Sequence, residues 1–257
     1  MDTELIDAYI AAFVARCEVM WRPGCLMVNE PGLYGLQSTA EDPPTRLLVT
    51  DDRACAALAA LLQDVRGGTV SVFAEATRCT GIVASSGGWK PKPVTAMMSR
   101  ELRTLPEAPL PAGLALRPVR RRDEDPENGV PLDDAVAVAT AANPLGEDTA
   151  NPLADYLKSL PPTTRLFAAV DDDGVVRATS GSGRFGEQAS VIFVSTDPSW
   201  RRRGIGQAMT AAALSFGRSA GARQACLGAS DEAIGIYQRL GFEIVAQTTQ
   251  FYRAGPG

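Results

Sequence analysis

Apolar side chains recur over the first twenty residues at Ile6, Tyr9, Ile10, Phe13, Val14 and Cys17, the three- and four-residue spacing of one helix face. A stretch rich in glycine, proline and asparagine follows and reads as a loop. Residues 46–50 read as a strand. Asp51 or Asp52 then caps a helix with the stripe Ala54, Leu58, Leu61, Leu62 and Val65, which Gly67-Gly68 stops. Residues 69–73 are strand-like, 75–84 helix-like and 93–98 strand-like. This is a small α/β pattern, with no glycine loop of the phosphate-binding kind.

Residues 105–113 carry three prolines and one glycine and read as a linker. The expected division is 1–105 for an N-terminal α/β domain, 106–113 for the linker and 114–257 for a second domain. After the linker the pattern gives a strand at 114–119, a charged loop, a helix at 132–142, a short helix at 153–160 and a strand at 165–170. Asp171-Asp172-Asp173-Gly174 is a hairpin turn rather than a metal site, because glycine closes it between two strands. Strands at 175–179 and 189–196 follow. Next come a glycine-rich turn and a helix with the stripe Ile205, Met209, Ala212, Ala213 and Phe216. A strand at 224–227, a helix from about 232 to 240 stopped by Gly241, and strands at 242–245 and near 247–252 complete the chain.

Composition narrows the chemistry. Of 257 residues, 45% are hydrophobic and 21% charged, as in globular proteins with a sizeable core. The net charge of -5 argues against a nucleic-acid partner, which needs a basic face. No apolar run approaches the roughly 20 residues that span a bilayer, and no membrane partner is expected. The acidic start, Met1-Asp2-Thr3-Glu4, is unlike a signal peptide, so the expected location is cytoplasmic. There is no histidine, which excludes Ser-His-Asp and Cys-His nucleophiles and histidine metal ligands. Cys17, Cys25, Cys55, Cys79 and Cys226 form no CxxC pair. They read as reduced thiols filling cores, and no metal is expected.

One segment carries chemistry: Val191-Ile192-Phe193-Val194-Ser195-Thr196-Asp197-Pro198-Ser199-Trp200-Arg201-Arg202-Arg203-Gly204-Ile205-Gly206-Gln207. An apolar strand ends in a tight turn that feeds a helix entered through arginines and two glycines. The first N–H groups of a helix lack internal partners and sit at the positive end of its dipole. Gly204 and Gly206 let a ligand approach the backbone. The product is an anion cradle suited to a pyrophosphate. By itself the pattern is equally that of an ordinary strand–helix turn with solvated arginines. It is neither a Walker loop nor a dinucleotide fingerprint.

The segment resembles the cofactor motif of the GNAT superfamily of N-acetyltransferases, [RQ]-x-x-G-x-[GA], here filled by Arg201, Gly204 and Gly206. Val194, Thr196 and Pro198 match the strand end and turn before that motif. Downstream, Tyr237-Gln238-Arg239-Leu240-Gly241-Phe242 resembles the Y-x-x-x-G-F end of the family's next helix, at the right separation. The resemblance runs from about 114 to 253. Gly88-Trp89 and 94–98 are faintly similar to the closing strands of a degenerate half of a tandem protein.

The resemblance implies the GNAT acyl-CoA N-acyltransferase fold: a mixed central sheet flanked by helices, with a smaller N-terminal α/β domain. It implies acetyl-CoA as co-substrate in a gap between strands 189–196 and 224–227. Val194, Ser195 and Thr196 would lie along the pantetheine, and Arg201, Arg202, Arg203, Gly204, Ile205, Gly206 and Gln207 around the pyrophosphate. Tyr237 is the implied general acid for the leaving thiolate. Glu187 is the nearest carboxylate for a base, with an ordered water as its alternative. The acceptor would be the amine of a small molecule or peptide, and a homodimer is compatible with the sequence. The reading from another class is a module that binds acyl-CoA without turnover. A third is an interaction protein that keeps the fold alone.

Overall fold

The computed structural model describes residues 3–38, 44–120, 129–142, 153–154, 157–158, 160–161 and 163–254. The chain forms two compact units. The first comprises Met1–Ser99, Gly228–Gly235 and Phe242–Gly257, and the second Arg100–Leu227 and Ile236–Gly241. The end of the chain thus groups with its beginning, a division that the break at 106–113 does not mark.

The first unit contains α1 (Thr3–Met20), β1 (Cys25–Glu30), β2 (Leu33–Ser38), β3 (Thr45–Val49), α2 (Cys55–Asp64), β4 (Gly68–Phe73), α3 (Thr77–Ser85), β5 (Lys90–Pro91) and β6 (Thr95–Glu101). The last strand of the chain, β13 (Glu243–Arg253), joins it. The strand order is β1-β2-β3-β4-β13-β6, with β5 also on β13. All pairs are antiparallel except β3–β4, which run parallel through five residues from Thr45↔Gly68 to Val49↔Val72. The core joins Leu47, Val49, Val70 and Val72 of the sheet to Leu58 and Leu62 of α2 and Cys79 and Val83 of α3. Burial of such side chains supplies the main favourable term in folding.

Two readings of this part are corrected. The expected loop after α1 holds the β1–β2 hairpin, closed by Pro31-Gly32 with Gly32 at φ 80°. Proline at the first and glycine at the second central position make a tight turn, and the run Cys25-Leu26-Met27-Val28 before it is apolar without alternation. The strands expected at 242–245 and 247–252 are one strand, β13, with an irregularity between Ile244 and Ala246.

The second unit contains β7 (Leu114–Arg120), β8 (Val130–Pro131), α4 (Leu132–Ala142), β9 (Thr164–Asp171), β10 (Val176–Phe185), β11 (Gln188–Thr196), α5 (Ile205–Ser219) and β12 (Gln224–Ala229), followed by α6 (Asp231–Arg239). Of the helix expected at 153–160, residues 153–154 and 157–158 are helical, and the other positions lie partly outside the described residues. The strand order is β12-β11-β10-β9-β7-β8, parallel at β12–β11 and β7–β8 and antiparallel elsewhere. Leu166, Ala168 and Val170 of β9 pack with α4, whereas Phe167 and Ala169 pack with Ile205 and Met209 of α5. Alternate residues of one strand therefore meet helices on opposite faces.

Strand β10 continues six residues beyond the expected end at 179, through Ser180-Gly181-Ser182-Gly183. Small residues there are a packing requirement. A Cβ on Gly181 would stand 2.5 Å from a Leu166 methyl, and one on Gly217 of α5 would stand 2.5 Å from the Ala189 Cβ and 3.2 Å from the Ser182 hydroxyl. At Gly217 the helix lies so close to Ala189 of β11 and Ser182 of β10 that a larger side chain has no room, whereas Gly181 makes room for Leu166 of β9.

Candidate functional site

The sheet of the second unit parts beside β11. Parallel pairing with β12 covers Gln188↔Gln224, Ala189↔Ala225 and Ser190↔Cys226 and then stops, although β11 continues to Thr196. The first four residues of β11 are buried and the last five only half-buried. Among the described residues, the edge of β11 beyond Ser190 therefore has no β12 residue in register with it.

A bulge marks the same stretch. Thr179 faces Ser195 and Gly181 faces Ile192, so Ser180 alone stands across from Phe193 and Val194. Phe193 has φ 60°, a region that bulky residues enter only under constraint. Part of the constraint is visible: the hydroxyl of Thr179, a buried residue, donates to the Phe193 carbonyl at 2.8 Å. In a planar trans peptide the next N–H points opposite to that carbonyl. The Val194 N–H is consequently turned away from Thr179.

At the end of β11 the chain turns through a short 3-10 helix, Pro198–Trp200, and enters α5. Asp197 shapes this turn. Its carboxylate accepts from the Ser199 amide at 2.9 Å and hydroxyl at 2.7 Å, and pairs with Arg177 at 3.2 Å. The Ser199 bonds, with help from Arg177, hold Asp197 below the usual carboxylate range. Arg202 at φ 64° and Gly204 at φ 78° are both left-handed. Gly204 is the N-cap residue of α5, and among the described residues no side chain bonds there to the first-turn amides. Among the described residues, a Cβ at Gly204 meets nothing within 4 Å, and one at Gly206 meets only the Thr196 hydroxyl at 3.9 Å. The helix start is thus a set of backbone donors that an anion can reach.

The three arginines serve different ends. Arg201 donates to the Thr196 carbonyl at 3.3 Å and to the Ala142 carbonyl, at the end of α4, at 2.9 Å. Its guanidinium binds the turn to the strand and to α4. Arg203 donates to the Ser199 carbonyl at 3.4 Å and lies 4.6 Å from the Trp200 ring centroid. Arg177 lies 5.1 Å from the same ring. Two cations therefore lie against the Trp200 ring, which helps order the arginine turn. Arg202 is exposed. The role of Arg177, fixed by Asp171 at 2.7 Å and by Asp197, escaped the sequence reading, because its two partners lie in separate turns.

Asp171 behaves as a turn residue. It accepts from the amides of Asp173 and Val175 as well as from Arg177, and Gly174 sits at φ 83°. Glu187 is not brought to the bulge. It precedes β11 at the end where β11 and β12 are paired, it is exposed, and it lies 3.7 Å from Arg223. Seven residues of strand, about 20 Å, separate it from Val194. Tyr237 lies on α6, the helix that follows β12, and is 7% exposed. Burial pushes its phenol up to about 12, so the ring keeps its proton at neutral pH.

Residues 162–244 match the family model described as Acetyltransferase (GNAT) domain. Among solved structures, a GCN5-related N-acetyltransferase from Kribbella flavida is similar over 96% of both chains, with 24% identity and a TM-score of 0.64. One from Sphaerobacter thermophilus is similar over 96% of this chain and 93% of that one, with 17% identity and a TM-score of 0.56. A tandem GNAT protein from the clavulanic acid biosynthesis pathway is similar over 100% of this chain and 97% of its own, with 15% identity and a TM-score of 0.55. No match is found among curated protein sequences. Residues 162–244 thus match a GNAT acetyltransferase domain, and the chain has a mixed α/β fold like that of these GNAT structures. No helix among the described residues is long and apolar enough to cross a membrane.

Proposed function

We propose that the chain is an N-acetyltransferase that moves an acetyl group from acetyl-CoA directly to a primary amine. The observation that carries this reading is the unpaired edge of β11 running straight into an open helix start. Backbone groups of Val194, Ser195 and Thr196 present a strand edge to the pantetheine amides. The amides at the start of α5, from Gly204 through Gln207, receive the pyrophosphate. Arg202 and Arg203 add positive charge, while Arg201 keeps the turn in place. The Val194 N–H, aimed by the Thr179–Phe193 bond, polarises the thioester carbonyl. Tyr237, kept protonated by burial, gives its proton to the departing thiolate, whose basicity the same apolar surroundings raise. An ordered water takes the proton from the amine, and alignment of amine and thioester supplies much of the rate. The acceptor is an amine of a small molecule or a peptide, with no metal or nucleic acid involved, and the location is cytoplasmic. The transferase part corresponds to residues 114–257, and 1–105, behind the 106–113 linker, to a degenerate GNAT-like half. The full-length similarity to a tandem GNAT protein supports that last assignment.

A second reading, acyl-CoA binding without turnover, draws on two observations: the chain has no histidine, and Glu187 stands at the far end of β11. Calorimetric titration of the purified protein with acetyl-CoA tests both readings, with micromolar affinity expected. Release of free thiol in an amine screen then selects the enzyme. Binding without release under any amine selects the module, and absence of binding overturns both.

A further inference from the structure

The first unit holds a second cluster of reactive side chains, unrelated to the cleft of the second. Cys55 opens α2 and Cys79 lies in the first turn of α3, 24 residues apart in sequence, yet their sulfurs are 3.1 Å from each other. Both cysteines are buried, Cys79 completely and Cys55 at 9% exposure. Asp52 locks the arrangement. Its carboxylate accepts from the α3 amides of Arg78 at 3.3 Å and Cys79 at 3.0 Å, and the Cys55 sulfur lies 3.8 Å from it. The Cys79 sulfur lies 3.7 Å from the Asp51 carbonyl. Two helix starts are thereby pinned together at their thiols.

We propose that Cys55 and Cys79 form a reversible redox pair, oxidised by a low-molecular-weight disulfide to an internal cross-link between α2 and α3. The separation favours this over a metal site. Two thiolates on a tetrahedral zinc with bonds of about 2.3 Å stand roughly 3.8 Å apart, wider than the pair found here. Both Asp52 oxygens are already committed to α3 amides. A disulfide, with sulfurs about 2.05 Å apart, needs only a further approach of the two side chains. The chemistry is ordinary exchange. Cys55, at the edge of the core, attacks the external disulfide as thiolate and releases one thiolate. Cys79 then loses its proton, its sulfur bonds to the Cys55 sulfur, and the mixed disulfide breaks to release the second thiolate. Two protein thiols are oxidised and one external disulfide is reduced to two thiols. Burial, the Cys55 sulfur beside it and then Asp52 push the Cys79 thiol up, so the second step is the slow one.

The test is to hold the folded full-length protein for a day in excess oxidised glutathione, remove the reagent, unfold the protein and count thiols. The count should fall from the five of the reduced chain to three, with a cross-linked Cys55–Cys79 peptide in the non-reducing digest. Cys55→Ser should keep all four of its thiols, whereas Cys25→Ser should fall from four to two. The thermal midpoint should rise on oxidation and return with reductant. Five surviving thiols, or a cross-link between other cysteines, overturns the proposal. So does one equivalent of zinc retained by the reduced protein through desalting and lost in Cys79→Ser, which assigns the cluster to a metal instead.

Discussion

The two units each contain a parallel strand pair leading into helices, and they use it in opposite ways. In the first, β3 and β4 stay in register through five residues, and carboxylates of the chain accept from backbone amides in the turn before α2 and in the first turn of α3. Asp51 caps the 3-10 turn Asp52–Ala54 that leads into α2, accepting from the Arg53 amide, and Asp52 accepts from the Arg78 and Cys79 amides in the first turn of α3. In the second, β11 and β12 part after three pairs, and α5 begins at a glycine without any side-chain cap. A helix start is an anion site in either case. In the first unit the protein supplies the anion itself; in the second the position is left for a ligand.

The sharpest way to break this contrast is to fill the open start. Gly206→Glu places a carboxylate where the phosphates are expected, while its Cβ meets only an ordinary contact with Thr196. Affinity for acetyl-CoA should fall at least about a hundredfold through like-charge repulsion, with the thermal midpoint nearly unchanged. Calorimetry beside a melting curve checks both. If the affinity survives, the cradle is elsewhere.

Tyr237→Phe comes next. Loss of a general acid lowers kcat about a hundredfold, with KM little altered, in steady-state assays. The pH profile of the unaltered enzyme sharpens this prediction. With the phenol raised from 10 to about 12, Tyr237 contributes no alkaline fall in rate below pH 10. The linked stability is complete below pH 10 and is lost as pH rises through about 12, because the unfolded chain then releases the proton first. Denaturant melts at pH 9 and 11 should differ in that direction.

Thr179→Val tests the bulge. Without the hydroxyl the Phe193 carbonyl loses its 2.8 Å bond, and the Val194 N–H loses its aim. We expect kcat to drop about tenfold with KM unchanged, and Thr179→Ser to restore most of it. Equal losses in valine and serine variants would assign Thr179 to packing alone.

The smallest effect belongs to the first unit. Asp51→Ala should cost about 1 kcal/mol in a denaturant melt, the usual loss of an N-cap, and leave acetyl-CoA affinity untouched. A change in affinity would contradict the division of labour between the two helix starts.

Sequence periodicity alone determined most of the elements. The stripes of α1, α2 and α5 and the strands around 46–50, 69–73 and 165–170 follow from repeats of 3.6 and 2 residues. The Asp171 turn and the helix entered through Gly204 were legible because aspartate and glycine have few other reasons to stand together there. The glycine-rich course of β10 was not, since glycines that make room for side chains of the neighbouring strand look like a loop.

Tertiary structure decided the rest. That β13 belongs with β4 and β6, that Arg201 is spent on backbone carbonyls, that Thr179 holds a bulge fourteen residues away, and that Cys55 meets Cys79 all depend on approaches between distant segments. A local pattern records what each residue prefers. It contains no distances between elements, and the strand gap and the sulfur pair consist of those distances.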